Sequence, residues 1–192
     1  NVLGAVTGRD MNGVQISGIS NMVGGSMRGG KVAGITNING NNLSGLSVSG
    51  LVGITGNHAW GMVFSGLANI TGDNSNGMIV GGLLNITGEK TAGVQLSGLA
   101  NISGGNFSGV TISGLLNVVG DARTGRQQSA HKEKTGINLS LWKNLSTQRT
   151  DTVGSTFFNL GIFSAMNRLN GLGVNVLGAV TGRDMNGVQI SG

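Results

Sequence analysis

The chain has 192 residues, enough for one domain, with 38 glycines, no proline, no cysteine and a net charge of +5. Missing proline and a glycine spacing other than three exclude collagen, and missing cysteine excludes disulfides and thiolate metal sites. Only 10% of residues are charged and 4% aromatic, so the basic stripe with stacking aromatics that nucleic-acid binding requires is absent.

Residues 1–124 are read as regular coils. Gly13, Gly29, Gly45, Gly61, Gly77, Gly93, Gly109 and Gly125 fall 16 residues apart, and glycines from Gly18 to Gly114 and from Gly24 to Gly120 keep the same period. A short fixed period signals one unit stacked on copies of itself. The unit reads G-φ-x-φ-S-G-L-x-N-I-x-G plus four variable residues, where φ is apolar. Its first half, such as Val94-Gln95-Leu96-Ser97, alternates with period two, which is a strand signal. Its second half, such as Leu99-Ala100-Asn101-Ile102-Ser103, is a second short strand, and the glycines mark the bends. Two strands and two bends per 16 residues predict an all-β fold, a β-solenoid whose coils stack about 4.8 Å apart.

Stacking sets like on like. Three apolar columns, Ile16-Val32-Val48-Phe64-Val80-Leu96-Ile112, Ile19-Ile35-Leu51-Leu67-Leu83-Leu99-Leu115 and Met22-Ile38-Ile54-Ile70-Ile86-Ile102-Val118, are the expected core. By that reading Leu83→Asp or Ile86→Asp unfolds the rod, while Asn74 and Ser75 tolerate substitution. The asparagine column (Asn21, Asn37, Asn69, Asn85, Asn101, Asn117), broken at Gly53, and the serine column (Ser17, Ser49, Ser65, Ser97, Ser113) are expected to form hydrogen-bonded ladders at the bends. A further column, Thr55-Thr71-Thr87-Ser103, invites comparison with the threonine arrays that order water on ice-binding solenoids, but Val23, Asn39 and Val119 interrupt it.

Residues 125–154 break the rhythm and are read as an irregular loop and β-hairpin, either a cap over a sheet edge or an insertion. Within them Gly136–Leu145 is strand-like, and between Asp121 and Asp151 the residues Arg123, Arg126, Lys132, Lys134, Lys143 and Arg149 gather the excess positive charge. Residues 155–192 are a degenerate coil, STFFNLGIFSAMNRLN, followed by regular coils. Residues 175–192 repeat residues 1–18 without a difference, NVLGAVTGRDMNGVQISG.

The chemistry is sparse. His58 and His131 have no partners at metal-ligand spacing. Among the acids, Asp73 and Glu89 recur at one loop position, a solvated ladder more than a glycosidase pair. Gly24-Gly25 and Gly29-Gly30 lack the GKS or GKT of a phosphate loop. The sequons at Asn69, Asn85 and Asn101 fall on the ladder column and are read as accidental. No catalytic, cofactor-binding or metal-binding residues are assigned, and no cofactor is expected. With no run of 18 apolar residues, no membrane-spanning helix is expected. Glycine-rich alternating strands leave an outer-membrane β-barrel as the rival fold.

The units GVQLSGLANISG and GVQISGISNMVG resemble bacterial surface-repeat proteins with tandem G-[VIL]-Q-[LI]-G-L-[VI]-N-[VI] units, of the kind seen in Bacteroidetes and spirochaetes. The resemblance covers about residues 1–124 and 171–192. The glutamine stands only at Gln15, Gln95 and Gln189, and an extra serine precedes the second glycine. It implies an exported or surface-associated protein of bacterial origin and carries over no functional residue. The expected function is therefore a non-enzymatic structural or adhesive element, extracellular or on a bacterial cell surface, self-associating end to end or laterally. The alternative is a binding module that contacts a glycan or protein through the variable loops Gly25–Arg28, Asn57–Trp60 and Glu89–Ala92.

Overall fold

The structure, a computed structural model, describes residues 3–105, 107–119, 136–140, 143–146 and 156–192. All regular secondary structure among them is strand. Each regular coil has a seven-residue strand and a four-residue strand, as in Met11–Ser17 and Ser20–Val23, then Met27–Ala33 and Thr36–Asn39. The long strand begins two residues before the periodic glycine, so the last two "variable" residues of each unit belong to a strand and not to a loop.

Every pairing between Gly4 and Val119 joins one coil to the next, in parallel, at an offset of 16 residues, as in Met11↔Met27 and Ser20↔Thr36. The ladder continues around the bends, with Ile35 N–H donating to Ile19 O (2.8 Å) and Gly40 N–H to Val23 O (2.8 Å). The long strands form one sheet and the short strands the facing one, a β-solenoid of about nine turns. Up-and-down strands closing into a barrel would pair antiparallel, so the barrel reading is set aside.

The glycine period has a steric origin. Gly13 through Gly109 adopt φ between 120° and 140°, a range that side chains with a Cβ rarely enter. A Cβ at Gly61 would also land on the carbonyl oxygen of Gly45, one coil away.

The stack does not end at the irregular segment. Gly136–Ser140 pairs in parallel with the coil before it (Gly109↔Gly136, Ser113↔Ser140), and Lys143–Ser146 does the same (Leu116↔Lys143). These two strands are therefore a further coil and not a hairpin folded on itself; the rest of 125–154 lies outside the described residues. The next strand, Thr156–Met185, is continuous over 30 residues. It pairs with this coil after a register shift between Gly136 and Ile137 and then with Val188–Ser191. Asn159 donates to Asn175 Oδ1 (3.3 Å), again 16 residues on, as the alignment of the degenerate coil on its successor requires.

The expected core is reversed. Ile16 is 61% exposed, Ile19 42%, Met22 44% and Leu83 41%, while Asn21 and Asn85 are fully buried. All three apolar columns face outward. The interior is built from Gln15, Lys31, Ser47, Gln95 and Thr111, from the serine and asparagine columns, and from the threonine column, where Thr71 is 5% exposed and Thr87 2%. A column buried in this way cannot lay a flat threonine array against ice. Period-two alternation states that neighbours face opposite ways without stating which way is in. The tight bend decides it, since beside it only small residues, Ser17, Ala33, Ser49, Ser65, Gly81, Ser97 and Ser113, occupy the inner strand position. Within this interior Val23, Met27, Leu43, Ala59, Val63 and Ile79 make a small apolar cluster.

The asparagine ladder is as expected and is internal. Asn85 Nδ2 donates to Leu96 O (2.7 Å) and Asn101 Oδ1 (2.9 Å), and Asn69 Nδ2 donates to Asn85 Oδ1 (3.0 Å). Asn21 and Asn37 are joined in the same way at 3.1 Å. Asn21 Oδ1 and Asn69 Oδ1 lack donors; the residues aligned one coil before them are Ala5 and Gly53, which have none to give. A Cβ at Gly53 would meet only the movable Asn69 Oδ1 closely, at 2.9 Å. We therefore expect Gly53→Asn to complete the ladder and raise stability by about 1 kcal/mol, read as a higher thermal midpoint by circular dichroism.

Candidate functional site

The coil has two unlike sides. In seven coils the outward positions begin with Val14, Ile16, Ile19 and Met22 and recur every 16 residues. Of these 28 positions 27 hold Val, Ile, Leu, Met or Phe, the exception being Gly30. They cover both sheet faces and the Leu-rich bend between them, and every one is exposed or half-buried. The same holds for the segment that occurs twice, where Val14 and Ile16 are 68% and 61% exposed and their equivalents Val188 and Ile190 57% and 55%.

The opposite edge carries the charge. Between residues 3 and 119 the charged residues are Arg9, Asp10, Arg28, Lys31, Asp73, Glu89 and Lys90, and all but Lys31 fall on the loops of that edge or, for Arg28, on the second residue of the strand that follows. Its loops stack as ladders of their own. Asp73 N–H donates to Asn57 O (3.0 Å) and Glu89 N–H to Asp73 O (2.8 Å), and Asp10 Oδ1 accepts from Ser26 N–H (2.6 Å). Asn74 is not idle, since its Oδ1 accepts from Lys90 N–H (3.1 Å) and its Nδ2 meets His58 Nδ1 (3.2 Å). Ser75 is buried and bonded to Thr87 Oγ1 (2.9 Å), so the expectation that both positions tolerate change is corrected. Leu83→Asp and Ile86→Asp are corrected too, because neither charge would be buried in the core.

Asp73 and Glu89 therefore come together as a stacked loop ladder. Among the described residues no three side chains of the His, Cys, Asp or Glu type gather as a metal site would require. His131, Asp121 and Glu133 lie outside the described residues. The sequon residues Asn69, Asn85 and Asn101 are buried in the ladder, out of reach of a glycosylating enzyme. His58 and Trp60 stack at 5.8 Å with planes 12° apart, where the polar edge meets the apolar face.

Lys31 is the feature least visible in the sequence. It is 1% exposed, and its Nζ donates to Ile38 O at 2.7 Å. Burial lowers its pKa from 10.5 to about 8. The folded chain thus loses this proton before the unfolded chain does, so stability should rise as pH climbs from about 8 to 10.5 and stay at its lower value below 8. Gln15 and Gln95 occupy the same inward column. Lys31→Gln is expected to raise the thermal midpoint at pH 7 by several degrees and to flatten that pH dependence, as a melting series from pH 7 to 10.5 would show.

Fold and surface together define a parallel β-solenoid with a polar interior and an apolar exterior, whose exposed charges between residues 3 and 119 follow one edge. Comparison of the chain with protein-family models, curated proteins and solved structures found no match. No helix among the described residues is long and apolar enough to cross a membrane.

Proposed function

We propose that the protein is a non-enzymatic structural or adhesive β-solenoid, exported to or displayed on a bacterial surface, whose rods join end to end. One observation carries this reading. The long strands from Met11–Ser17 to Phe107–Ser113 pair in parallel and in register from coil to coil, with the periodic glycines matched at every step. A stack held by one repeated coil-to-coil contact can be lengthened by that same contact with another copy. The identical segments 1–18 and 175–192 add support, since a coil that occurs twice in one chain can stack like residues on like against its counterpart in another copy. The surface location rests on the resemblance to bacterial surface-repeat units.

Electron micrographs of purified protein across a concentration series test the assembly. Rods that lengthen with concentration are expected, and monodisperse single rods at every concentration would remove it. Fractionation of the native host, with the protein recovered from the cell surface or medium, tests the location; recovery in the cytosol would remove that part.

A further inference from the structure

We infer that the apolar flank docks on lipid, with the rod lying along the surface of a leaflet and its charged edge turned to water. Four observations carry this. First, the polarity of the strands is apolar-out and polar-in, the pattern of strands that face hydrocarbon; in water alone it exposes bulky side chains and buries amides. Second, the apolar surface is three-sided, running over one sheet face, around the Leu51-Leu67-Leu83-Leu99 bend and over the other face. A second copy laid against one sheet covers only one of these sides, whereas a fluid leaflet wraps all three. Third, the charge is segregated. No charged residue occurs at the 28 outward positions, while Arg9, Asp10, Asp73, Glu89 and Lys90 follow the far edge, the division an interfacial amphipathic element requires. Fourth, Trp60 marks the boundary. It is 48% exposed and stacked on His58 of the polar edge, and it is followed on the same outward face by Met62 and Phe64. Indole rings favour this depth, between headgroups and acyl chains.

The flank also contains a place for a single chain of hydrocarbon. A groove of about 710 Å³, lined by Ile112, Leu139, Leu160, Ile162 and Val176, opens beside the bend near the C-terminal end of the stack. Its walls are almost wholly apolar, in continuity with the Ile112 column.

The main chain permits this placement. Along the sides of the rod N–H and C=O groups are paired between coils, so the flank brings no unsatisfied backbone to the lipid. The inference is independent of end-to-end joining, since rods of any length present the same flank.

The test is flotation of the whole protein with phosphatidylcholine vesicles, in a Trp142→Phe background that leaves Trp60 as the reporter. Flotation with the vesicles and a blue-shifted Trp60 emission quenched by brominated acyl chains are expected. The triple variant Leu67→Asp, Leu83→Asp, Leu99→Asp should keep its circular dichroism melt and lose at least tenfold in vesicle partitioning. Glu89→Ser on the polar edge should partition like the parent. Failure of the parent to float, or equal partitioning of the triple variant, would overturn the inference. So would a stable oligomer that persists with vesicles and is broken into monomers by the three aspartates, for that result assigns the flank to a second copy. If the triple variant fails to melt cooperatively, emission quenching of Trp60 in the parent decides alone.

Discussion

Gly61→Ala should abolish the cooperative fold. Gly61 holds φ 121° in the middle of the stack, and the new methyl group would occupy the position of the Gly45 carbonyl oxygen, an acceptor in the ladder between coils. Relief requires moving one coil away from its neighbour, which breaks main-chain bonds on both sides of the substitution. The strained φ alone is worth about 1–3 kcal/mol, and the displaced ladder adds to it, for a loss of more than about 4 kcal/mol. A denaturation curve by circular dichroism measures it. Gly30→Ala is the matching control, for a Cβ there meets only Val14 methyl groups at 3.8 Å. That variant should melt with the parent or slightly above it, because removing a glycine restricts the unfolded chain.

Asn85→Asp should be nearly as damaging at neutral pH and should recover in acid. The replacement is equal in size, but Asn85 is fully buried and donates from Nδ2 to Leu96 O and Asn101 Oδ1. A carboxylate in that place sets an anion against two acceptors and cannot donate. Burying it without a cation costs about 3–5 kcal/mol. Protonation restores one donor, so the folded state holds the proton more tightly than the unfolded one. Stability then falls as pH rises through the unfolded carboxyl range and beyond, and it is regained on acidification. Thermal midpoints of the variant should climb between pH 7 and pH 4 relative to the parent, and a parallel pH profile for the two proteins would refute the ladder's energetic role.

The architecture was legible because its cause is local. Gly13 through Gly109 repeat at 16 because every coil needs the same φ and the same close approach, and one chain displays that constraint seven times. The asparagine ladder was legible for a similar reason: a polar residue held in one column, broken only at Gly53, needs a bonded partner at each level. Inside and outside were not legible. Val14-Gln15-Ile16-Ser17 alternates equally well in either orientation, and the habit of turning isoleucine away from water selected the wrong one. A signal was present, since the asparagine and serine columns vary less along the stack than a solvated surface would. The coil at 136–146 was obscured because a charged insertion separates its long strand from the preceding coil, so the 16-residue count is lost while the pairing Gly109↔Gly136 survives. Lys31 showed no signal beyond its place between Gly30 and Val32, in an inward column otherwise lacking charge.

The hydrogen bonds between coils point along the long axis of the rod. Tension applied to the two ends therefore meets the rungs of one outermost coil at a time, in an unzipping geometry, and never the whole stack at once. Each lap that peels away releases 16 residues, about 50 Å of extended chain where it had contributed about 5 Å of height. A tether built this way yields at a low, steady force over a travel many times its resting length, and it rewinds lap upon lap when the load is removed.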